Sequence, residues 1–164
     1  MVVKGRHASV WLVGPLAVKF FKKGMEKNAR KEFQALRVLE RFKIAPRPYL
    51  LFGRVLVMSR VRGRRIRDMT AGEVRRYAPE FLKALHTLDR LGIMKEESHR
   101  PGKHFYRTRG GVCLIDFERS HPGRGNVTQF LQFLNRFYPG ITRLGKKYKE
   151  SLDLRPILEF IGSS

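Results

Sequence analysis

The chain has 164 residues, 42% of them hydrophobic, with 35 Lys+Arg against 14 Asp+Glu and a net charge of +21. That hydrophobic share excludes a disordered chain, the length allows one good core or two small lobes sharing a cleft, and no stretch approaches the ~20 apolar residues that span a bilayer. The charge attracts polyanions, so RNA, DNA, a ribosome or an acidic protein is one expected class of partner, and a merely soluble basic surface is the other reading. Cys113 is the only cysteine and the five histidines are scattered, so neither a disulfide framework nor zinc-ligand spacing is present. The N-terminus lacks the apolar run of a signal peptide. A reducing, cytoplasmic setting without membrane attachment is expected.

Val2–Lys4 and Val10–Val13 read as short strands flanking Gly5-Arg6-His7-Ala8-Ser9. Gly14-Pro15 then turns the chain into a third strand from Leu16 to Phe21. Alternation puts Ala17, Lys19 and Phe21 on one face of it, so Lys19 is either a strand-edge charge or one held for a ligand. Glu26 to Phe42 has helical periodicity, with Ala29, Phe33, Leu36 and Leu39 as the stripe and Glu32 on its border. Leu50–Phe52, Gly53 and Arg54–Met58 predict a hairpin, and Ser59 to Gly63 a linker.

After Gly63 the pattern becomes helical. Thr70 with Glu73 predicts a capping box, and Val74, Tyr77, Ala78, Phe81, Leu82, Leu85 and Leu88 continue the stripe to about Leu91. A polar loop from Lys95 to Lys103 precedes a predicted hairpin, His104–Arg107 and Val112–Ile115, turning at Arg109-Gly110-Gly111. The second of these strands delivers Asp116-Phe117-Glu118. Asn126, with Gln129, predicts a helix through Phe137, and Leu154, Ile157, Leu158 and Ile161 a last amphipathic segment.

Ala17-Val18-Lys19 on a strand, Glu32 on the next helix and Ile115-Asp116-Phe117 closing a late strand occur in an order that resembles the protein-kinase-like superfamily. Within it the resemblance points to the small atypical kinases of archaea, the RIO and KEOPS-complex types, over about Val2 to Ser120. It implies an α+β, two-lobed protein-kinase-like fold, with residues 1–59 as a sheet-plus-helix N-lobe and 60–164 as a reduced, mainly helical C-lobe. It implies an ATP- and Mg²⁺-dependent serine/threonine protein kinase activity. Lys19 would meet the α/β-phosphates, Glu32 would hold Lys19, and Asp116 would bind metal. Gly5, Ser9 and Val10 would cover the nucleotide, Ala17 would share that wall, and Met58, Ser59 and Val61 would form the hinge beside adenine.

The usual catalytic loop, His-x-Asp followed four residues later by Asn, is missing. Aligning Gly92-Ile93 places Glu97 at the aspartate, and a shift of one places Glu96 there; a glutamate accepts a hydroxyl proton as well as an aspartate does. Neither alignment leaves the asparagine. Glu118 stands where a glycine is usual and is either a substitute metal ligand or a salt-bridge partner. No Ala-Pro-Glu motif follows.

Arg54, Arg60, Arg62, Arg64, Arg65 and Arg67 fall within fourteen residues. They are either a phosphate-backbone footprint for RNA or a ribosome or a solvated face. With the missing asparagine, they support a second reading: a catalytically weak kinase-fold protein that binds RNA or a ribonucleoprotein.

Overall fold

The computed structural model describes residues 1–164. Strands β1 (Val2–Lys4), β2 (Ala8–Val13) and β3 (Leu16–Phe21) lead into helix α1 (Glu26–Leu39), and β4 (Pro48–Phe52) and β5 (Val55–Ser59) follow. The five strands form an antiparallel sheet in the order β1-β2-β3-β5-β4. Turn chemistry sets the hairpins: Gly14 and Gly53 sit at φ of 54° and 56°, where a side chain is strained. Helix α1 packs against β3, β4 and β5. It buries Ala29, Glu32, Ala35, Leu36 and Leu39, so the inner face is rotated from the expected stripe. Phe33 is only half-buried, and Glu32 takes a place inside.

The chain continues through β6 (Gly63–Arg65), α2 (Ala71–Leu91), β7 (Ile93–Met94), β8 (Phe105–Thr108), β9 (Gly111–Leu114), β10 (His121–Pro122), α3 (Asn126–Leu134), α4 (Leu144–Ser151) and α5 (Arg155–Gly162). Helix α2 starts with the expected capping box: Glu73 N donates to Thr70 Oγ1 and Thr70 N to Glu73 Oε2. It ends at Gly92 in the left-handed region. Pro79 lies inside it and has no N–H for the carbonyl of Arg75, one turn earlier. The Tyr138 hydroxyl donates to that carbonyl at 3.3 Å, and the Arg75 guanidinium lies over the Tyr138 ring. The helix expected to reach Phe137 stops at Leu134, and α4 is an element the apolar pattern did not announce.

Two compact units result, one of Met1–Gly63 with Cys113–Ser120 and one of Arg64–Val112 with His121–Ser164. The division expected at 59/60 therefore moves to 63/64, and Cys113–Ser120 returns to the first unit. The physical reason is bonding: Leu114 N donates to Ile44 O at 2.8 Å, and the carboxylates of Asp116 and Glu118 meet Lys19. The second unit holds β6, β8 and the start of β9 in one small sheet, the β7–β10 pair, and a core of Phe81, Leu85, Phe105, Phe130, Leu134 and Ile141. No helix is long and apolar enough to cross a membrane.

Candidate functional site

In the first unit, strand alternation turns Ala17, Lys19 and Phe21 inward, and Lys19 is only 6% exposed. A buried ammonium needs compensating acceptors. Its Nζ donates to Glu32 Oε2 at 2.6 Å, with Glu118 Oε2 at 3.1 Å and Asp116 Oδ1 at 3.4 Å. The second oxygen of Glu32 accepts from Phe117 N at 3.3 Å. One short ion pair thus ties β3 to α1, and α1 to the turn that follows β9.

Burial alone would lower the Lys19 pKa. The attraction of Glu32, Asp116 and Glu118 overrides it and holds Lys19 above its ordinary value, so it stays an ammonium at neutral pH. Burial raises the Glu32 carboxyl above the ordinary range against the pull of Lys19, and Asp116 and Glu118 add to the rise. The group is an ammonium faced by three carboxyl groups, an arrangement that attracts further positive charge.

Asp116 adopts a left-handed φ of 70°, a local cost of roughly 1–3 kcal/mol for a non-glycine residue. That turn brings both Asp116 and Glu118 to Lys19. Glu118 is held further by His7 Nδ1, 2.7 Å from its Oε1, and by Asn28 Nδ2, which donates to its carbonyl at 3.2 Å. The carboxylate oxygens of Glu32, Asp116 and Glu118 lie within 4.8 Å of one another. All-oxygen donors at that separation suit a hard divalent cation such as Mg²⁺.

The other residues singled out in the first unit divide by face. Val10 lies opposite Lys19 and Ala17 opposite Met58, so these four share the inner side of the sheet. Ser9 pairs with Phe20, and Ser59 with Leu16, which turns both side chains to the opposite face. The Ser59 and Arg60 amides are committed to Arg47 O and Pro15 O. Val61, the last of the expected hinge positions, is half-exposed. Gly5 is required by a close approach: a Cβ there would stand 3.0 Å from Ala8 O, the acceptor of its own amide. Ser59 also borders a shallow hollow of about 380 Å³ with Glu40, Lys43, Ala45 and Arg47; none of the Lys19 group lines it.

Glu96 and Glu97 belong to the second unit. Both have positive φ, 71° and 57°, and two such residues in succession are costly without glycine. The turn is held from both ends. Lys95 N donates to Asn126 Oδ1 and Ser98 N to Gln129 Oε1, each at 2.9 Å. Glu96 is paired with His121, and Glu97 is exposed. Asn126 is itself anchored by Asp89, whose Oδ1 accepts from Gly125 N, Asn126 N and Asn126 Nδ2 and whose Oδ2 accepts from Val127 N and Tyr148 OH. Because the Tyr148 hydroxyl proton goes to Asp89, the 2.9 Å contact with His86 requires the proton on His86 Nδ1.

Sequence reasoning missed His7, Asn28, Asp89 and Gln129. Asp89 left a usable signal, since it follows Leu85 by four residues on the buried stripe of α2. The six arginines are split between the units, and four of them meet acids: Arg54 pairs with Glu26, Arg64 with Glu73, and Arg65 and Arg67 with Asp68.

No family model matches the chain, and no curated protein sequence does. Solved structures do match. The Rio2 kinase of Chaetomium thermophilum, in a complex with ADP/Mg²⁺ and phosphoaspartate, aligns with a TM-score of 0.63 at 12% identity, over 99% of this chain and 68% of that one. The aminoglycoside phosphotransferase APH(2'')-IIa, in a ternary complex with streptomycin and ATP, aligns with a TM-score of 0.56 at 14% identity, over 99% and 90%. At such identities the likeness is one of architecture and names no narrower RIO or KEOPS family: the chain has a protein-kinase-like fold.

Proposed function

We propose that the chain is an ATP- and Mg²⁺-dependent phosphotransferase resembling an atypical serine/threonine protein kinase. The observation that carries this reading is the buried Lys19–Glu32 pair with Asp116 and Glu118 beside it. A plain structural ion pair needs one acid, whereas this lysine has three. The excess of carboxylate is what a site for a metal–phosphate complex requires. The two structural neighbours, described with ADP/Mg²⁺ and with ATP, agree with it.

In this reading Lys19, fixed by Glu32, binds the α/β-phosphates, and Gly5 to Val10 cover them. Asp116 and Glu118 hold the Mg²⁺, which when bound neutralises phosphate charge. Glu97, exposed on its turn, orients the acceptor hydroxyl and takes its proton, with Glu96 as the alternative. Rate enhancement then comes mainly from positioning and fixed charge.

Calorimetric titration with Mg-ATP tests the site. Lys19→Ala and Asp116→Asn each abolish measurable binding while a cooperative thermal melt persists, lowered for Lys19→Ala by loss of the buried ion pair; unchanged affinity in both removes the reading. Glu97→Gln lowers phosphate release from ATP by about 10² or more at near-constant nucleotide affinity.

A second reading, a catalytically weak kinase-fold protein that contacts RNA or a ribosome, draws on the +21 charge and the missing loop asparagine. Arg60 and Arg62 are its better candidates, since Arg54, Arg64, Arg65 and Arg67 are engaged with acids. Phosphate release measured with and without RNA separates the two.

A further inference from the structure

The sheet of the first unit has a second face, and no helix of that unit packs on it. Register defines the face. One row crosses all five strands as Val2, Trp11, Val18, Val57 and Leu50. A second runs Lys4, Ser9, Phe20, Val55 and Phe52, and a third Val13, Leu16 and Ser59. Every position in the first row is apolar, and the only charge in all three is Lys4. Trp11 is 50% exposed, Val13 58%, Leu50 55% and Phe52 78%.

An antiparallel sheet with one wet face normally alternates apolar-in with polar-out; strands apolar on both sides belong to sheets covered on both sides. General poor packing does not account for this face. The large apolar side chains that stand exposed all lie within residues 1–52, and the second unit exposes none. A contiguous patch of this kind marks an interaction site.

Charge selects the occupant. Residues 1–25 and 41–67, which carry all five strands and the turns between them, contain no Asp or Glu. At one end of the face Arg62 Nη2 donates to Gly14 O at 3.2 Å and Arg60 N bonds Pro15 O. At the other, Arg54 Nη1 donates to Phe21 O at 3.2 Å and its Nε lies 3.7 Å from Glu26 Oε1, with Lys22 and Lys23 next in the chain. An aromatic and aliphatic centre inside a polar rim of net positive charge is the anatomy of a protein interface. A second copy would bring the same positive rim against itself. Single-stranded RNA stacks on ring planes, but most of this face is aliphatic, and Trp11 and Phe20 meet edge-on at 66° and 6.0 Å. A flat sheet offers nothing that reaches the ~5–10 Å into a lipid boundary that interfacial binding uses.

We propose that the outer face of the β1–β5 sheet docks an acidic protein through an apolar patch edged by Asp and Glu. Trp11 on β2 is its anchor, and the basic rim sets the partner's charge.

The probe is a display library of linear peptides selected on the full chain, followed by synthesis of the winners. Selected peptides carry apolar residues flanked by Asp or Glu. They shift the fluorescence of Trp11, the sole tryptophan, and their affinity falls as salt is raised. Trp11→Ser weakens them at least tenfold, and so does the pair Leu50→Ser with Phe52→Ser on the edge strand. Both variants keep the wild-type melting profile, because the side chains changed are exposed. Peptides without acidic flanks, or binding untouched by both variants, overturn the proposal. So does a dimer in sedimentation that Trp11→Ser dissociates, and so does a Trp11 response confined to phosphatidylserine vesicles or to an oligouridine.

Discussion

Glu32 and Asp89 are both buried carboxyl groups, 1% and 0% exposed, and the fold answers them in opposite ways. Asp89 receives backbone amides from the first turn of α3, an amide side chain and a tyrosine hydroxyl. These donors are fixed by the helix, so both of its oxygens are served by groups that cannot leave without unwinding α3. Glu32 has one flexible ammonium and one amide, and that ammonium is shared with Asp116 and Glu118. The first arrangement is a structural joint. The second is a set of charges that can be redistributed when another charged group arrives, which is why the phosphotransferase proposal rests on Lys19 and Glu32.

Single substitutions break or sharpen this contrast. The largest effect is expected for Asp89→Ala, which orphans several buried donors together and costs about 3–5 kcal/mol, the range seen when one partner of a buried polar set is removed. Urea unfolding measures it; a loss below about 1 kcal/mol would make the joint ornamental. Glu32→Gln costs less, about 1–2 kcal/mol, because Lys19 keeps Asp116 and Glu118, while Mg-ATP affinity drops. Equal losses for the two variants would erase the distinction between joint and site.

Titration sharpens it further. Lys19 has a folded pKa above its unfolded value of 10.5. Its contribution to stability is therefore fully present below pH 10.5 and is lost as pH rises from there toward the folded value. Urea unfolding at pH 8 and pH 11 should show a larger loss for the wild type than for Lys19→Met. Identical losses would mean that the carboxylates do not hold the ammonium. The smallest effect concerns Cys113, whose thiol burial pushes up to about 12. It should react with a thiol reagent at pH 8 only as fast as the first unit opens, and fast labelling of the folded chain would show that Cys113–Ser120 is loosely held.

Local patterns were legible. The alternation of Ala17, Lys19 and Phe21 is a two-residue repeat, the Thr70–Glu73 box spans three positions, and Gly14 and Gly53 turn hairpins between neighbouring strands. Their physics is short-range, so residue order is enough to state them. The pairing of Lys19 with Glu32 was legible through the resemblance, and it stands at 2.6 Å. Ser9 and Ser59 were placed beside the nucleotide by position along the chain, but pairing with Phe20 and Leu16 turns their side chains to the other side of the sheet. Register between strands is set by partners the local sequence does not show.

The sequence by itself determined the elements of the sheet, the capped start of α2, the basic balance and the lysine–glutamate–aspartate order. Only the tertiary structure decided that His7 meets Glu118 across 111 positions, that Asp89 closes the N-terminus of α3, and that Glu96 and Glu97 stand in a strained turn pinned by Asn126 and Gln129. It also decided that the apolar residues on the outer side of five strands stay uncovered. The reason is common to all four. A buried or strained polar group is tolerated only where distant backbone donors converge on it, and a face is open only when no other segment folds over it. Both are properties of the assembled chain and of no segment of it.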